Sequence, residues 1–485
     1  MTDIKISKKN EVYIKLECEP HILYELQEYF TFEVPNAKFM PQRRNKNWDG
    51  TIRLLSVHTG ELYIGLLDKL ISKIKLHNYT YEFVNNKYYG LPFEINEGIS
   101  LEGVKDYMNS ICRYSPRSYQ IECVYDALRY NRKLLISPTA SGKSLMIYSI
   151  VRYFESLNKR ILIIVPTTSL VEQMVKDFSD YGWDADNYCY KIYSGREKTN
   201  DHPVTVTTWQ SIYKLERPFF EKYDVVIGDE AHLFKSKSLI NIMSKLHNAK
   251  YRFGFTGTLD GTQTHKWVLE GLFGPSYKVT RTSELMEKGI ISTLDIFCLL
   301  VKHTGKKFET YEDEVQYLIG NEKRNKFIRN LVLDLKGNTL VLFSRVESHG
   351  KILYDLINNN VENRNVFFIH GGVNVDEREK IREITERESD AIIVASYGTM
   401  STGINIKNLH NVVFSSPSKS RIRNLQSIGR VLRKGKNKDK AVLYDIADDL
   451  TFKSSKNYTL NHFIERIKTY NEENFNYEII PVNLK

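Results

Sequence analysis

Three short stretches of the chain carry groups able to handle a chain of phosphates. An apolar run ending in Leu134-Leu135-Ile136-Ser137 leads into Pro138-Thr139-Ala140-Ser141-Gly142-Lys143-Ser144, and the helical pattern SLMIYSIVRYF follows. A strand that turns through such a loop into a helix presents backbone N–H groups and a positive helix end to an anion. Thr139, Ala140, Ser141 and Gly142 form the cradle, Lys143 reaches the β and γ groups, and the Ser144 hydroxyl is a ligand for Mg²⁺. Ser137 stands where the general pattern has its first glycine.

The second stretch is the strand-like Val225-Val226-Ile227, ending in Gly228-Asp229-Glu230-Ala231-His232. An Asp-Glu pair alone reads as a solvated loop. At a strand end downstream of a phosphate loop it reads as Asp229 holding the metal and Glu230 orienting or deprotonating an attacking water. The third stretch is Gln426-Ser427-Ile428-Gly429-Arg430-Val431-Leu432-Arg433. Arg430 and Arg433 share a helical face, where a guanidinium neutralises charge developing on a γ-phosphate. Their order of importance stays open, as does the plainer reading of an ordinary basic helix. Together the three stretches describe an ATP hydrolase using Mg²⁺.

The elements that must position these groups are β-branched runs alternating with helical patterns: LLIS, ILIIV, VTVTT, VVIGD and RFGFT, then TLVLFS, VFFIH, AIIVAS, NVVFSS and AVLYDI. Strands alternating with helices predict parallel sheets covered on both faces. The two series predict two α/β lobes in tandem, over residues 99–283 and 284–449. Residues 284–335 read as more helical and charged, holding the hinge and the opening helix of the second lobe. Residues 1–98 read as a small α+β unit, with an alternating EVYIKLECE, a helical HILYELQEYF, and a boundary near Leu91-Pro92. This unit is expected to be a separate module whose removal leaves the lobes folded. Residues 450–485 read as a helical tail.

The 485 residues carry 69 Lys and Arg against 59 Asp and Glu, a formal net charge of +10. Residues 1–100 balance, with 13 of each sign, so the surplus lies downstream. Charged residues at 26% and hydrophobic residues at 41% exclude a largely disordered chain. No apolar run reaches membrane-spanning length and the front end lacks a signal-peptide core, so a soluble protein without a membrane partner is expected in the cytoplasm. Cys18, Cys112, Cys123, Cys189 and Cys298 are scattered without C-x-x-C spacing, which argues against a disulfide framework or zinc site.

The three motifs, in this order, resemble those of superfamily 2 helicases, across most of residues 113–447. Arg117-Ser118-Tyr119-Gln120 resembles the adenine-reading Q motif, Val165-Pro166-Thr167-Thr168 motif Ia, and Thr207-Thr208-Trp209-Gln210 motif Ib. Phe343-Ser344-Arg345 resembles motif IV, and Ser401-Thr402-Gly403-Ile404-Asn405 resembles motif V. The resemblance implies an α/β fold of two tandem RecA-like parallel-sheet lobes preceded by a small α+β N-terminal domain. It also implies nucleotide contacts from Arg117, Gln120, Gly403 and Asn405, a catalytic part for Gln426, and coupling of ATP state to nucleic acid through His232, Thr256 and Thr258. With Asn47-Trp48-Asp49-Gly50-Thr51-Ile52-Arg53 and VASYGTMSTGI, the chain is similar over nearly its whole length to the recombination and repair DNA helicases of T-even bacteriophages. That likeness implies action on single-stranded and branched DNA, Holliday junctions, R-loops and RNA–DNA hybrids, in a host cytoplasm, as a monomer, with phage single-strand-binding and recombination proteins as partners.

A translocating motor grips regular phosphates with hydroxyls, amides and a few cations. By resemblance Thr167, Thr208, Ser344 and Thr402 serve that task; the alternative for each is a helix cap, the commoner job of a lone Ser or Thr. Arg43, Arg44 and Lys46 stand beside Trp48, a ring able to stack at a strand junction, or else a core residue amid solvated cations. Residues 417–440 hold nine Lys and Arg. Part of that run faces ATP, and KGKNKDK is either solvated or on a phosphate backbone. The competing functions are an RNA helicase of the DEAH type and an ATP-gated nucleic-acid binding or annealing protein.

Overall fold

The computed structural model describes residues 2–34, 37–39, 41–87, 89–92, 94–193, 195, 197–401, 406, 408–416, 420–434 and 438–484. The chain forms two compact units, residues 1–137 with 142–279, and residues 280–485 with 138–141. No helix among the described residues is long and apolar enough to cross a membrane.

The first unit begins with β1 (Ile4–Lys8), β2 (Tyr13–Cys18), β3 (Thr31–Glu33), β4 (Thr51–Arg53), β5 (Glu61–Tyr63) and β6 (Tyr81–Val84). Four of these make a mixed sheet in the order β5-β2-β1-β6, and β3 pairs with β4. In β2 the alternation seen in the sequence holds: Ile14 and Leu16 are buried while Lys15 and Glu17 are exposed. Helices Pro20–Tyr29 and Leu67–Leu76 turn Ile22, Leu26, Leu70 and Ile74 inward.

A parallel sheet follows, made of β7 (Arg132–Ile136), β8 (Ile161–Val165), β9 (Cys189–Ile192), β10 (Val204–Thr208), β11 (Val225–Asp229), β12 (Tyr251–Thr256) and β13 (Ser276–Lys278), in the order β13-β7-β12-β11-β8-β10-β9. Every residue of β8 and β10 is buried, as expected of strands covered on both faces.

The N-terminal unit is continuous with this lobe. One hydrophobic cluster runs from Ile4, Ile14 and Phe30 through Leu66 to Trp267, Leu272 and Phe273. The Trp267 ring lies 5.2 Å from Tyr29, 5.7 Å from Phe30 and 4.9 Å from Phe32, with the Lys69 ammonium 5.1 Å above it. Lys69 also pairs with the buried Glu270 at 3.0 Å. At Gly65 a Cβ would meet the Glu270 carbonyl at 2.0 Å, so only glycine allows this approach. The N-terminal unit thus shares its core with the first lobe, and its removal would uncover the aromatic side of helix Gln263–Phe273.

The second unit carries a second parallel sheet: β14 (Thr293–Lys302), β15 (Thr339–Phe343), β16 (Val366–Ile369), β17 (Ile392–Ser396), β18 (Asn411–Phe414), β19 (Lys440–Asp449) and β20 (Asn476–Asn483), ordered β16-β17-β15-β18-β19-β14-β20. The stretch 284–335 holds helices Tyr311–Ile319 and Glu322–Asp334, and in addition β14, whose apolar IFCLLV run is paired on both sides. One sequence expectation is corrected here. The helical tail 450–485 holds helix Tyr458–Glu472, as expected, but ends in β20, the edge strand against β14.

Buried charge pins that tail. Arg466 donates to both Asp445 oxygens at 2.8 Å, and the Tyr470 hydroxyl donates to Asp445 at 2.8 Å. Arg324 similarly bonds Asp448 at 2.8 and 2.9 Å, beside His303. Burial raises the Asp448 carboxyl, but Arg324 and His303 outweigh it and bring it down to about 2.

Candidate nucleotide site and nucleic-acid contacts

Strand order brings the predicted ATP residues together. β12 lies between β7 and β11, with Thr256 paired to Ile136 on one side and Phe255 to Asp229 on the other. Their carboxyl ends, where open parallel sheets bind ligands, therefore carry the phosphate loop, Thr256 and the Asp229-Glu230 pair side by side. The Ser137 N–H donates to the Thr256 carbonyl at 2.8 Å.

Left-handed backbone occurs at Ala140 (φ +67°) and Gly142 (φ +81°), and not at Ser137. Serine is thus tolerated where the general pattern has glycine. At Gly142 a Cβ would sit 2.4 Å from the Gln120 amide nitrogen. Buried Gln120 in turn accepts from the Arg117 N–H at 2.9 Å, placing the predicted adenine-reading segment against the loop. Lys143, first residue of helix Lys143–Ser156, directs its ammonium toward the Ser137 carbonyl at 3.5 Å. Ser144 follows it on the same turn, half-buried, and the Ser141 hydroxyl donates to Pro138 O at 2.7 Å. Thr139 is half-buried.

Asp229 ends β11 and accepts from the Glu230 N–H at 2.9 Å. Burial first, and the Glu230 charge second, push the Asp229 carboxyl up to about 6, with Lys143 pulling against them. A divalent cation would relieve that penalty, so Asp229 fits a metal. Among the described residues no three His, Cys, Asp or Glu converge as a metal cluster. Mg²⁺ bound by one carboxylate, one hydroxyl, waters and phosphates needs none. Glu230 adopts left-handed backbone (φ +49°) and lies 3.3 Å from His232 Nδ1. The same nitrogen is 3.1 Å from the Thr256 hydroxyl, which donates to Thr258 O at 2.9 Å.

Gln426 and Arg430 lie on helix Arg421–Val431 of the second unit and Arg433 just beyond it, all half-buried. Thr402, Gly403 and Asn405 lie outside the described residues. Three cations of the basic stretch 417–440 are occupied structurally. Arg421 pairs with Glu472 and Glu473, and Lys440 with Asp295. Buried Lys438 donates to the carbonyls of Val431 and Arg433.

Thr167 caps helix Thr168–Asp180, accepting from the Leu170 N–H at 3.4 Å. Thr208 is buried with its hydroxyl 2.9 Å from that of Ser211. Ser344 is exposed at the end of β15. In the N-terminal unit Arg44 and Lys46 are exposed, and Arg43 is half-buried against Gly50. Half-buried Trp48 donates its indole N–H to Thr51 O at 2.7 Å. Sequence reasoning missed the Lys235, Asp260 and His265 cluster, which ties the segment after Glu230 to the turn after Thr258. The Asp-Gly turn at 260–261 was its visible signal.

Residues 3–85 match the family "DNA helicase UvsW, N-terminal", residues 113–261 "Type III restriction enzyme, res subunit", and residues 322–435 "Helicase conserved C-terminal domain". The ATP-dependent DNA helicase uvsW of Enterobacteria phage T4 is 36% identical, over 99% of this chain and all of that one. The chain belongs to the UvsW family of DNA helicases. A crystal structure of T4 UvsW aligns over the full length of both chains with a TM-score of 0.53 at 33% identity. More distantly, the DNA 3'-5' translocase XPB2 of Sulfurisphaera tokodaii is 25% identical over 67% of this chain and 80% of its own. A type I restriction HsdR fragment from Vibrio vulnificus shares the fold, with a TM-score of 0.58 at 18% identity over 80% of this chain and 72% of that one. The UvsW match includes the N-terminal unit, which accords with its continuous core with the first lobe.

Proposed function

We propose that this UvsW-family chain uses ATP hydrolysis to move along DNA and to remodel forks, Holliday junctions and R-loops in recombination, repair and replication. The observation that carries the reading is the alignment of Lys143, Thr256, Asp229 and Glu230 along adjacent strand ends, with His232 between Glu230 and Thr256. The phosphate loop and Lys143 hold the triphosphate, and Arg117 and Gln120 address the base. Ser144 and Asp229 would hold Mg²⁺, which would supply charge neutralisation on the triphosphate. Glu230 takes a proton from the attacking water, while Arg430 and Arg433, with Gln426, meet the γ-phosphate charge. His232, Thr256 and Thr258 carry the state of the triphosphate toward the bound strand. Arg43, Arg44, Lys46 and Trp48 grip DNA at a branch.

The test is an ATPase and unwinding panel over single strands, forks, four-way junctions, R-loops and duplex RNA. Strong stimulation by branched DNA and hybrids is expected. Stimulation by duplex RNA alone would favour an RNA helicase. Binding without hydrolysis on any substrate would favour an ATP-gated annealing protein.

A further inference from the structure

β14 and β19 are parallel, with Lys302 paired to Asp449, so the chain leaves both at the same sheet edge as Ser344 at the end of β15. After Asp449 a tight turn closes, the Phe452 N–H donating to Ser455 O at 3.1 Å and the Ser455 N–H to Phe452 O at 3.0 Å. The turn holds Phe452 40% exposed. Beside it is a cavity of about 230 Å³ whose lining includes Lys306, Lys307, Phe452, Lys456, Tyr458 and one acid, Glu314. Tyr458 is also 40% exposed.

The charge here is one-sided. Lys306 holds its ammonium 4.6 Å from the Tyr317 ring and 5.2 Å from Phe308, and Lys453 holds its own 5.7 Å from Phe452. Among the described residues no carboxylate makes a salt bridge with Lys306, Lys307, Lys453 or Lys456. Of the acids beside the patch, Glu314 and Asp449 are committed, while Glu309, next to Phe308, is exposed. Glu314 accepts from Asn457 Nδ2 at 2.8 Å, the Tyr458 N–H at 2.8 Å, the Thr459 N–H at 2.7 Å and the Thr459 hydroxyl at 2.7 Å. Asp449 pairs with Lys302. The patch also joins the motif IV segment: Arg345, next to Ser344, pairs with Glu312, and the adjacent Tyr311 lies 6.4 Å from Tyr458.

Ammonium groups without carboxylates favour phosphates, and exposed ring faces favour unpaired bases. We propose that the loops 303–308 and 451–458 form an additional single-strand contact on the second lobe. Lys306, Lys307, Lys453 and Lys456 hold the phosphodiester backbone, and Phe452 stacks on a base. This gives the segment after Asp449 a functional part beyond its structural one.

The test uses the full chain with Lys453→Glu/Lys456→Glu together and with Phe452→Ala separately. Fluorescein-labelled oligo-dT, the matching RNA oligonucleotide and a blunt duplex serve as anisotropy probes across a salt series. Basal ATPase and nucleotide affinity without nucleic acid should match wild type, which reports an intact fold. On single strands the double variant should lower the log–log salt slope by up to about 1.4, about 0.7 per lost contact. Phe452→Ala should weaken single-strand binding about fivefold or more with its slope unchanged. Loss confined to the duplex would overturn the single-strand assignment. Wild-type behaviour of both variants would overturn the site and leave the patch to an acidic protein surface. Equal loss on DNA and RNA supports backbone recognition. Absence of salt-dependent strand binding by the wild type would instead count against the motor reading itself.

Discussion

The Nδ1 of His232 lies 3.1 Å from the Thr256 hydroxyl, and the same ring reaches Glu230 at 3.3 Å. The candidate base is thereby tied to the strand between it and the phosphate loop. One imidazole thus lies between Thr256 and Glu230, and we propose that it passes movement at Thr256 to Glu230. His232→Ala and Thr256→Ala should each lower DNA-stimulated ATPase more than basal ATPase. The double variant should show a coupling energy above about 0.5 kcal/mol. Additive effects would show that the two residues act separately.

Lys143 and Glu230 should separate binding from chemistry. Lys143→Ala is expected to lose tight nucleotide binding, because an ammonium on the phosphates is gone. Glu230→Gln keeps the shape of the site and should bind ATP while turning over about 10²–10⁴-fold more slowly. Fluorescent-nucleotide titration with steady-state kinetics checks both. Near wild-type turnover of Glu230→Gln at saturating ATP would remove it as the base.

Trp267 should behave as a joint between the N-terminal unit and the first lobe. Trp267→Ala removes a ring packed on Tyr29, Phe30 and Phe32 and should cost about 3–5 kcal/mol in urea unfolding. Deleting residues 1–95 should destabilise the first lobe more than that. A truncated chain that melts like the full one would mean that the shared cluster contributes little.

The ATP residues were legible because the chemistry dictates type and place together. Lys143 must open a helix after a strand, and Asp229 must end another strand of the same sheet. The central strands were legible as β-branched runs. What stayed hidden depends on distant partners. β14 sits among charged neighbours in sequence, and β20 contains Glu478 and Pro481, which are tolerated because it is an edge strand. The cations at 417–440 read as either solvated or on a phosphate backbone, and of these Arg421, Lys438 and Lys440 serve Glu472, the Val431 carbonyl and Asp295. No local pattern announces such pairings.

His349 should make the second unit acid-sensitive. Burial first, and Arg324 second, bring its imidazole down from 6.5 to about 3, with Nδ1 3.0 Å from the Ser416 hydroxyl. Asp448 pulls the other way. Below pH 6.5 the unfolded chain binds a proton that the folded chain refuses, so stability falls as pH drops from 6.5 toward 3. His349→Asn should flatten that part of the profile in thermal melts between pH 7 and 4.5, even if it lowers stability at pH 7. An unchanged slope would place the acid sensitivity elsewhere.

Arg466 anchors the C-terminal segment to the sheet. Its guanidinium is 2% exposed and donates twice to Asp445, itself fully buried at the centre of β19. Removing one partner of such a pair leaves an uncompensated charge in the interior, a loss of about 3–5 kcal/mol. Arg466→Met should therefore unfold the second unit at lower denaturant, whereas Arg466→Met with Asp445→Asn should recover part of the loss by removing the stranded carboxylate. The same helix ends at Glu472 and Glu473, which pair with Arg421 at the start of the helix carrying Gln426 and Arg430. Glu472→Ala/Glu473→Ala leaves the buried Asp445 pair intact and frees only this brace. It should lower ATP turnover severalfold while nucleotide affinity and the unfolding midpoint stay near wild type. Equal loss of affinity and turnover would mean that the brace supports the fold rather than the placement of Arg430.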